Sequence, residues 1–289
     1  MNHRLSLPTP PTDDALIAPS GPRPGFRRLR DEVRERLRRA LAYEHGNPER
    51  YGFDPAAAAR LLLLPAFLYR RYFRVECHGI ERLPRGRVLL VANHASHALA
   101  WDGASVLIAC LLDAEPPRLV RPMADHRLME LPIIGRHARK IGAVDGSRAH
   151  CIRLLREGAA VLAFPEGTHA HERTFRDRYR MAPFGHGFAH VALATRTPIV
   201  PVAVIGAEEE APLLGNPRWL RRLMRTHAAP ITPTLVVPLP VRYRLYFGEP
   251  IHLVGGPTPL MISNGVRTVR DALERMIADG LAARRHVFW

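Results

Sequence analysis

Only three cysteines, Cys77, Cys110 and Cys151, occur in 289 residues, an odd number with no C-x-x-C spacing. That argues against a disulfide framework and a zinc ribbon, and a reducing compartment is the natural setting. No stretch reaches the roughly 18 consecutive apolar residues that a membrane-spanning helix needs; the closest, "AAAARLLLLPAFLY", contains Arg60 and Pro65. Residues 1–26 lack the apolar core of a secretory signal and are rich in proline, which reads as a disordered leader. Neither a G-x-S-x-G elbow nor an H-E-x-x-H helix is present, so a serine nucleophile and a zinc-protease site are not indicated, and no metal is expected. No internal repeat is evident.

What is abundant is arginine. The formal charge is +15 and only Lys140 is a lysine, so 41 of the 42 basic residues are arginines. Such an excess suits an anionic membrane surface or a phosphate-bearing substrate, although codon bias produces the same skew. Nucleic acid is not expected as a partner, because no aromatic-interleaved basic motif or known module accompanies the charge. With 47% hydrophobic residues the chain can bury one sizeable core.

Leu29, Val33, Leu37 and Leu41 recur every four residues among charges, the pattern of an amphipathic helix ending near Gly46. "AAAARLLLLPAFLY" follows, flanked by Arg70, Arg71 and Tyr72, so 27–71 reads as a helical segment that either packs in the core or lies in a membrane interface. From residue 72 short β-rich runs alternate with helical stretches: "YFRVECHGI", "RVLLVAN", a helix over 102–112, "RLVRPM", a helix over 127–138, "KIGAV" and a helix over 147–157. The series continues with "AAVLAFP", a helix over 186–196, "PIVPVAVIG", "VRYRLYFGEPIHL" and a last helix over 263–283. This alternation predicts an α/β domain over 72–289 with a mixed, partly parallel sheet flanked by helices. The Pro- and Arg-dense stretch 208–240 reads as an insertion or lid.

Polar clusters fall at the ends of two strand patterns. "RVLLVAN" delivers Asn93, His94, Ser96, His97 and Asp102, and "AAVLAFP" delivers Glu166, Gly167 and Thr168. In an open α/β sheet the crevice beyond the carboxyl ends of the strands is where ligands bind, so both clusters are expected on one cleft. A histidine beside an aspartate can act as a general base. His97 and Asp102 are separated by four residues and His94 and Asp102 by seven; a surface histidine with Asp102 as a helix N-cap is the plainer alternative. Gly167, Thr168, Arg173, Gly142 and Arg148 are candidates for an anion site.

"VANHASHALAWDG", "IGAVDGSR", "FPEGTH" and "TPIVPVAVIGAEE" stand in the order and approximate spacing of the four sequence blocks of the glycerolipid acyltransferase superfamily, lysophosphatidic acid acyltransferase type. The downstream "FGHGFAHVALATRTPIVPVAVIGAEEEAPLLG" looks most like its bacterial branch similar to diacylglycerol acyltransferase. The resemblance spans about residues 72–255. It implies transfer of a fatty acyl group from an acyl-CoA or acyl carrier protein thioester, as co-substrate, to a hydroxyl of a lysophospholipid, acylglycerol or related alcohol, with no bound cofactor. It further implies that His94 or His97 is the base and Asp102 its orienting partner. Gly142 and Arg148 match block two, and Glu166, Gly167 and Thr168 match block three. That block usually continues with arginine and serine; His169 and Ala170 follow here, which brings a neutral acceptor into consideration. A cytoplasmic protein on the inner membrane face is expected, and a lipid-surface binder without catalysis is the alternative.

Overall fold

Val88–Ala92 is apolar and buried at every position, the pattern of a strand covered on both faces. In the computed structural model it forms the centre of a seven-stranded sheet. The structure describes residues 25–44, 47–95, 100–167, 170, 174–212, 219 and 237–288. The strands are β1 (Glu76–His78), β2 (Val88–Ala92), β3 (Val120–Ala124), β4 (Val144–Asp145), β5 (Ala160–Ala163), β6 (Ile199–Ile205) and β7 (Arg244–Phe247). Their order across the sheet is β1-β7-β6-β2-β5-β3-β4. Strands β2 to β6 run parallel to one another. At one edge β7 is antiparallel to β6 and carries β1 parallel to itself. The sheet is thus mixed and mostly parallel, as the alternating pattern predicts.

The helices are α1 (Phe26–Tyr43), α2 (Pro55–Leu61), α3 (Leu63–Phe67), α4 (Trp101–Leu112), α5 (His126–Glu130), α6 (Ile134–Lys140), α7 (Arg148–Arg156), α8 (Gly187–Thr195), α9 (Ala207–Glu210) and α10 (Pro259–Ala282). Side-chain parity along β2 divides them between two cores. Val88, Leu90 and Ala92 pack with residues of α1 to α4, while Leu89 and Val91 face α7, α8 and α10. The α1 stripe of Leu29, Val33, Leu37 and Ala40 is spent entirely in the first core. In α2 and α3, Ala57, Ala58, Leu62 and Ala66 are buried, leaving Leu64 and Phe67 at the surface.

Two boundaries differ from the sequence pattern. The helix expected over 127–138 is split into α5 and α6, because Pro132 drives Leu131 into an extended conformation (ψ 126°) and stops the first helix. The last helix starts four residues earlier than expected, at Pro259, where the Thr258 side chain accepts from the Met261 amide and Pro occupies the first turn. Of the 208–240 segment, 213–218 and 220–236 lie outside the described residues, as does most of the leader.

Candidate active site

β2 is followed by Asn93, which is buried and uses its amide as an extra rung of sheet. Its Nδ2 donates to the Val204 carbonyl (2.9 Å) and its Oδ1 accepts from the Val204 N–H (2.7 Å), pinning the exit of β2 to β6. The next residue, His94, leaves the strand and turns toward the start of α4. Ala100, the residue before that helix, adopts a left-handed backbone (φ 43°, ψ 48°). This turn is unusual for a residue with a Cβ. It delivers Asp102 into the first helical turn, where the helix dipole favours a negative charge.

His94 Nδ1 and Asp102 Oδ2 are 2.6 Å apart. The same Oδ2 accepts from the Ala95 N–H at 2.8 Å, and Oδ1 accepts from the Gly103 N–H at 2.7 Å. Asp102 is only 2% exposed. Burial by itself would raise its pKa; the charge and hydrogen bond of His94, with the two backbone amides, outweigh that and hold it at about 2. A permanent carboxylate on Nδ1 fixes the imidazole tautomer and stabilises the imidazolium form, so proton uptake falls to Nε2. The ring lies 4.5 Å from that of Phe164, at the end of β5. Gly103 sits under this phenyl group, where an added Cβ would come within 3.3 Å of Cζ.

The second cluster meets the first. Glu166, 1% exposed, accepts from the His94 N–H through Oε1 (3.2 Å) and from the Ala182 N–H through Oε2 (2.7 Å). Its carboxylate therefore brackets the loop after β2 to the loop after β5. Gly167 completes the corner with φ +51°, and its N–H returns to the Phe164 carbonyl (3.2 Å). No atom crowds a Cβ at that position, so the backbone angle alone is what favours glycine there. His97, Thr168 and Arg173 lie outside the described residues. Arg148 begins α7, exposed, just past the carboxyl end of β4.

Gly142, expected at the end of a strand, instead precedes one, because β4 is only Val144–Asp145. Its carbonyl accepts from Arg121 Nε at 2.9 Å. The register sets that pair level with Val161 and Leu89, five residues before His94. Gly142 thus lies toward the amino ends of the strands, away from the cleft.

An acidic layer that the sequence pattern does not single out lies behind the His94–Asp102 pair. Glu208, Glu209 and Glu210 follow β6 and are all buried. The Tyr179 hydroxyl and Arg284 both donate to Glu209, and the Tyr243 hydroxyl donates to Glu210. Burial, reinforced by the charge of Asp102, pushes the Glu210 carboxyl well above the usual range against the opposing Tyr243 bond. Three consecutive acids after an apolar strand were the available signal. Among the described residues no group of three or more metal-ligating side chains gathers.

Comparison with known proteins bears on this geometry. The acyltransferase family model matches residues 74–205. An uncharacterized protein of Mycobacterium tuberculosis is 36% identical over 270 residues, covering 88% of this chain and 74% of that protein. The human protein named DGAT1/2-independent enzyme synthesizing storage lipids is 29% identical over 179 residues, 61% of this chain and 53% of its own length. Among solved structures, the 1-acyl-sn-glycerophosphate (LPA) acyltransferase PlsC of Thermotoga maritima superposes with a TM-score of 0.52 at 19% identity, over 88% of this chain and 96% of that one.

Proposed function

The chain belongs to the glycerolipid acyltransferase superfamily, and from that premise we propose that it moves a fatty acyl group from an acyl thioester to a lipid hydroxyl with His94 as general base. The observation that carries this reading is the 2.6 Å contact between His94 Nδ1 and a buried carboxylate held ionised. Nε2 takes the proton of the acceptor hydroxyl as its oxygen attacks the thioester carbonyl. The tetrahedral intermediate collapses with cleavage of the C–S bond, and the imidazolium returns its proton to the departing thiolate. Asp102 stays ionised throughout and stabilises the transient imidazolium.

Direct transfer, without an acyl-enzyme, is supported by the cysteines. Burial pushes Cys110 and Cys151 up to about 12 and raises Cys77 as well, so none supplies a thiolate near neutral pH. The acyl donor in this reading is acyl-CoA or an acylated carrier protein. The acceptor is a lysophospholipid, an acylglycerol or a related alcohol.

The cytoplasmic side is proposed from the three free cysteines; work at an anionic membrane surface is supported by the hairpin of α5 and α6. Leu128, Leu131, Ile133 and Ile134 are all exposed there, Ile133 at 74%, beside the exposed Arg127 and Arg136. Met129 anchors the hairpin in the protein body and Arg139 donates to its carbonyl (2.7 Å), so the aliphatic residues are held outward on a braced element. No helix of the described residues is long and apolar enough to cross a membrane.

The test is a mass-spectrometric lipid assay of the purified protein with acyl-CoA and a panel of lysophospholipids, monoacylglycerols and diacylglycerols. A product heavier than one acceptor by one acyl group is expected. Complete inactivity with all of them, alongside tight vesicle binding, would instead mark a lipid-surface binder on this fold.

A further inference from the structure

Asp102 meets the His94 ring at its edge, through Nδ1; the face of that ring is met by Phe164. The two ring centroids are 4.5 Å apart and their planes are 33° from parallel, so the phenyl group presents its π face to the imidazole, not its hydrogen-bearing rim. We propose that Phe164 is a positioning residue for the base: its ring face favours the imidazolium form of His94 over the neutral form and so assists the step in which Nε2 takes up a proton. The kinetic part of this inference rests on the acyl-transfer reading; the effect on the His94 ring does not.

The ring is held where it is by its surroundings. Phe164 directly follows β5 and packs, half-buried, against the first core. Two residues later Glu166 accepts the His94 N–H (3.2 Å). The corner of residues 164–167, closed by the Gly167 N–H on the Phe164 carbonyl (3.2 Å), therefore grips both the backbone and the ring of His94. On the other side the residue after Asp102 is a glycine. A Cβ at Gly103 would lie 3.3 Å from Phe164 Cζ and 3.4 Å from Cε2, tight enough to press the phenyl group out of this position.

A phenyl face carries the negative lobe of a quadrupole and attracts a cation centred within about 6 Å of the ring centroid. Neutral imidazole gains little from it, whereas the imidazolium formed during proton uptake gains the full attraction. An interaction stronger in the transition state than in the ground state raises kcat and leaves KM nearly alone. The same phenyl group keeps water from one face of His94, which by itself disfavours the charged ring. The two effects oppose each other, and a leucine in place of Phe164 separates them: it keeps the apolar cover and loses the quadrupole. The carboxyl groups that His94 meets, Asp102 at Nδ1 and Glu166 at the backbone N–H, stay in place in such a variant.

The experiment compares the full chain with Phe164→Leu, with Phe164→Tyr, and with a protein carrying trifluorophenylalanine at position 164 alone, which keeps the ring's shape but withdraws electron density from its face. Circular dichroism melts check folding, and the near-isosteric fluorinated ring decides if the leucine variant does not fold. NMR titration of His94 in the resting protein, assigned with His94→Gln, requires no turnover. The leucine and fluorinated variants are expected to lower the His94 pKa by about 0.5–1.5 units, and tyrosine to restore it. In acyl transfer the same two variants are expected to lose roughly five- to thirtyfold in kcat with KM almost unchanged, again restored by tyrosine. An unshifted His94 in the folded leucine and fluorinated variants would overturn the proposal, as would wild-type kcat in both. So would equal losses in the tyrosine variant, the mark of packing alone. If wild type transfers no acyl group to any acceptor, the acyl-transfer reading falls, and the titration still decides whether Phe164 tunes His94.

Discussion

At the scale of single residues, the proposed chemistry turns on Asp102 being ionised where most carboxylates would not be. Asp102→Asn keeps the shape but presents an amide to His94 Nδ1, and kcat is expected to fall by about 10²- to 10⁴-fold. The same residue leaves a stability signature. Its folded pKa of about 2 lies below the ordinary 3.8, so its ionised form stabilises the fold above about pH 4, and that contribution is lost as pH falls toward 2. The amount is on the order of 2 kcal/mol. Urea unfolding at pH 4 and pH 2 should show a larger loss for wild type than for Asp102→Asn, and identical losses would refute the assigned environment. Glu166 makes a different forecast. Both its oxygens accept backbone N–H groups, and Glu166→Gln turns one acceptor into a donor facing a donor. A cost of about 1–3 kcal/mol follows, read as a lower melting temperature together with lower kcat. A rise in KM alone would point to ligand contact instead.

At the scale of elements, the α5–α6 hairpin is where apolar surface is displayed. Ile133→Glu with Ile134→Glu should weaken binding to anionic vesicles at least tenfold and leave turnover of short-chain, water-soluble substrates intact. Unchanged vesicle binding would move the membrane surface elsewhere, for instance to Leu64 and Phe67. Element placement was largely legible from pattern. The four-residue spacing of Leu29, Val33 and Leu37 specified α1, and the unbroken run of β2 specified a central strand, because burial on one face or on two leaves different periodicities. Pro132 and the Thr258–Pro259 pair carried boundary information that the periodicity reading overlooked. Within the site, His94, Asp102, Glu166 and Gly167 were recognisable by type and position. The bracket made by Glu166 was not, since its partner Ala182 lies sixteen residues away on no regular element. Nor was the fate of Gly142, which depends on how short β4 is, nor the burial of Glu210 against Tyr243, which requires β7 to return beside β6.

At the scale of the whole molecule, the +15 charge places arginines beside the half-buried Glu44 at the end of α1. Glu44 sits beside Arg121 and Arg118, yet burial prevails and raises its pKa from 4.5 to about 6. A raised carboxylate costs stability when it ionises: the penalty is absent below about pH 4.5 and complete above about pH 6. Glu44→Gln is therefore expected to match wild type at pH 4 and to be more stable at pH 8, by at most about 2 kcal/mol; equal stability at both pH values would show that the carboxylate is solvated. The His94–Asp102 pair just past the carboxyl end of β2 and the apolar hairpin after β3 lie on one rim of one sheet. The most direct test of the proposed role of that rim is acyl transfer by purified His94→Ala and His97→Ala, each checked for an unchanged melting temperature. The account predicts that His94→Ala loses at least about a hundredfold in kcat while His97→Ala stays close to wild type. A His94→Ala enzyme within a few-fold of wild type would contradict it.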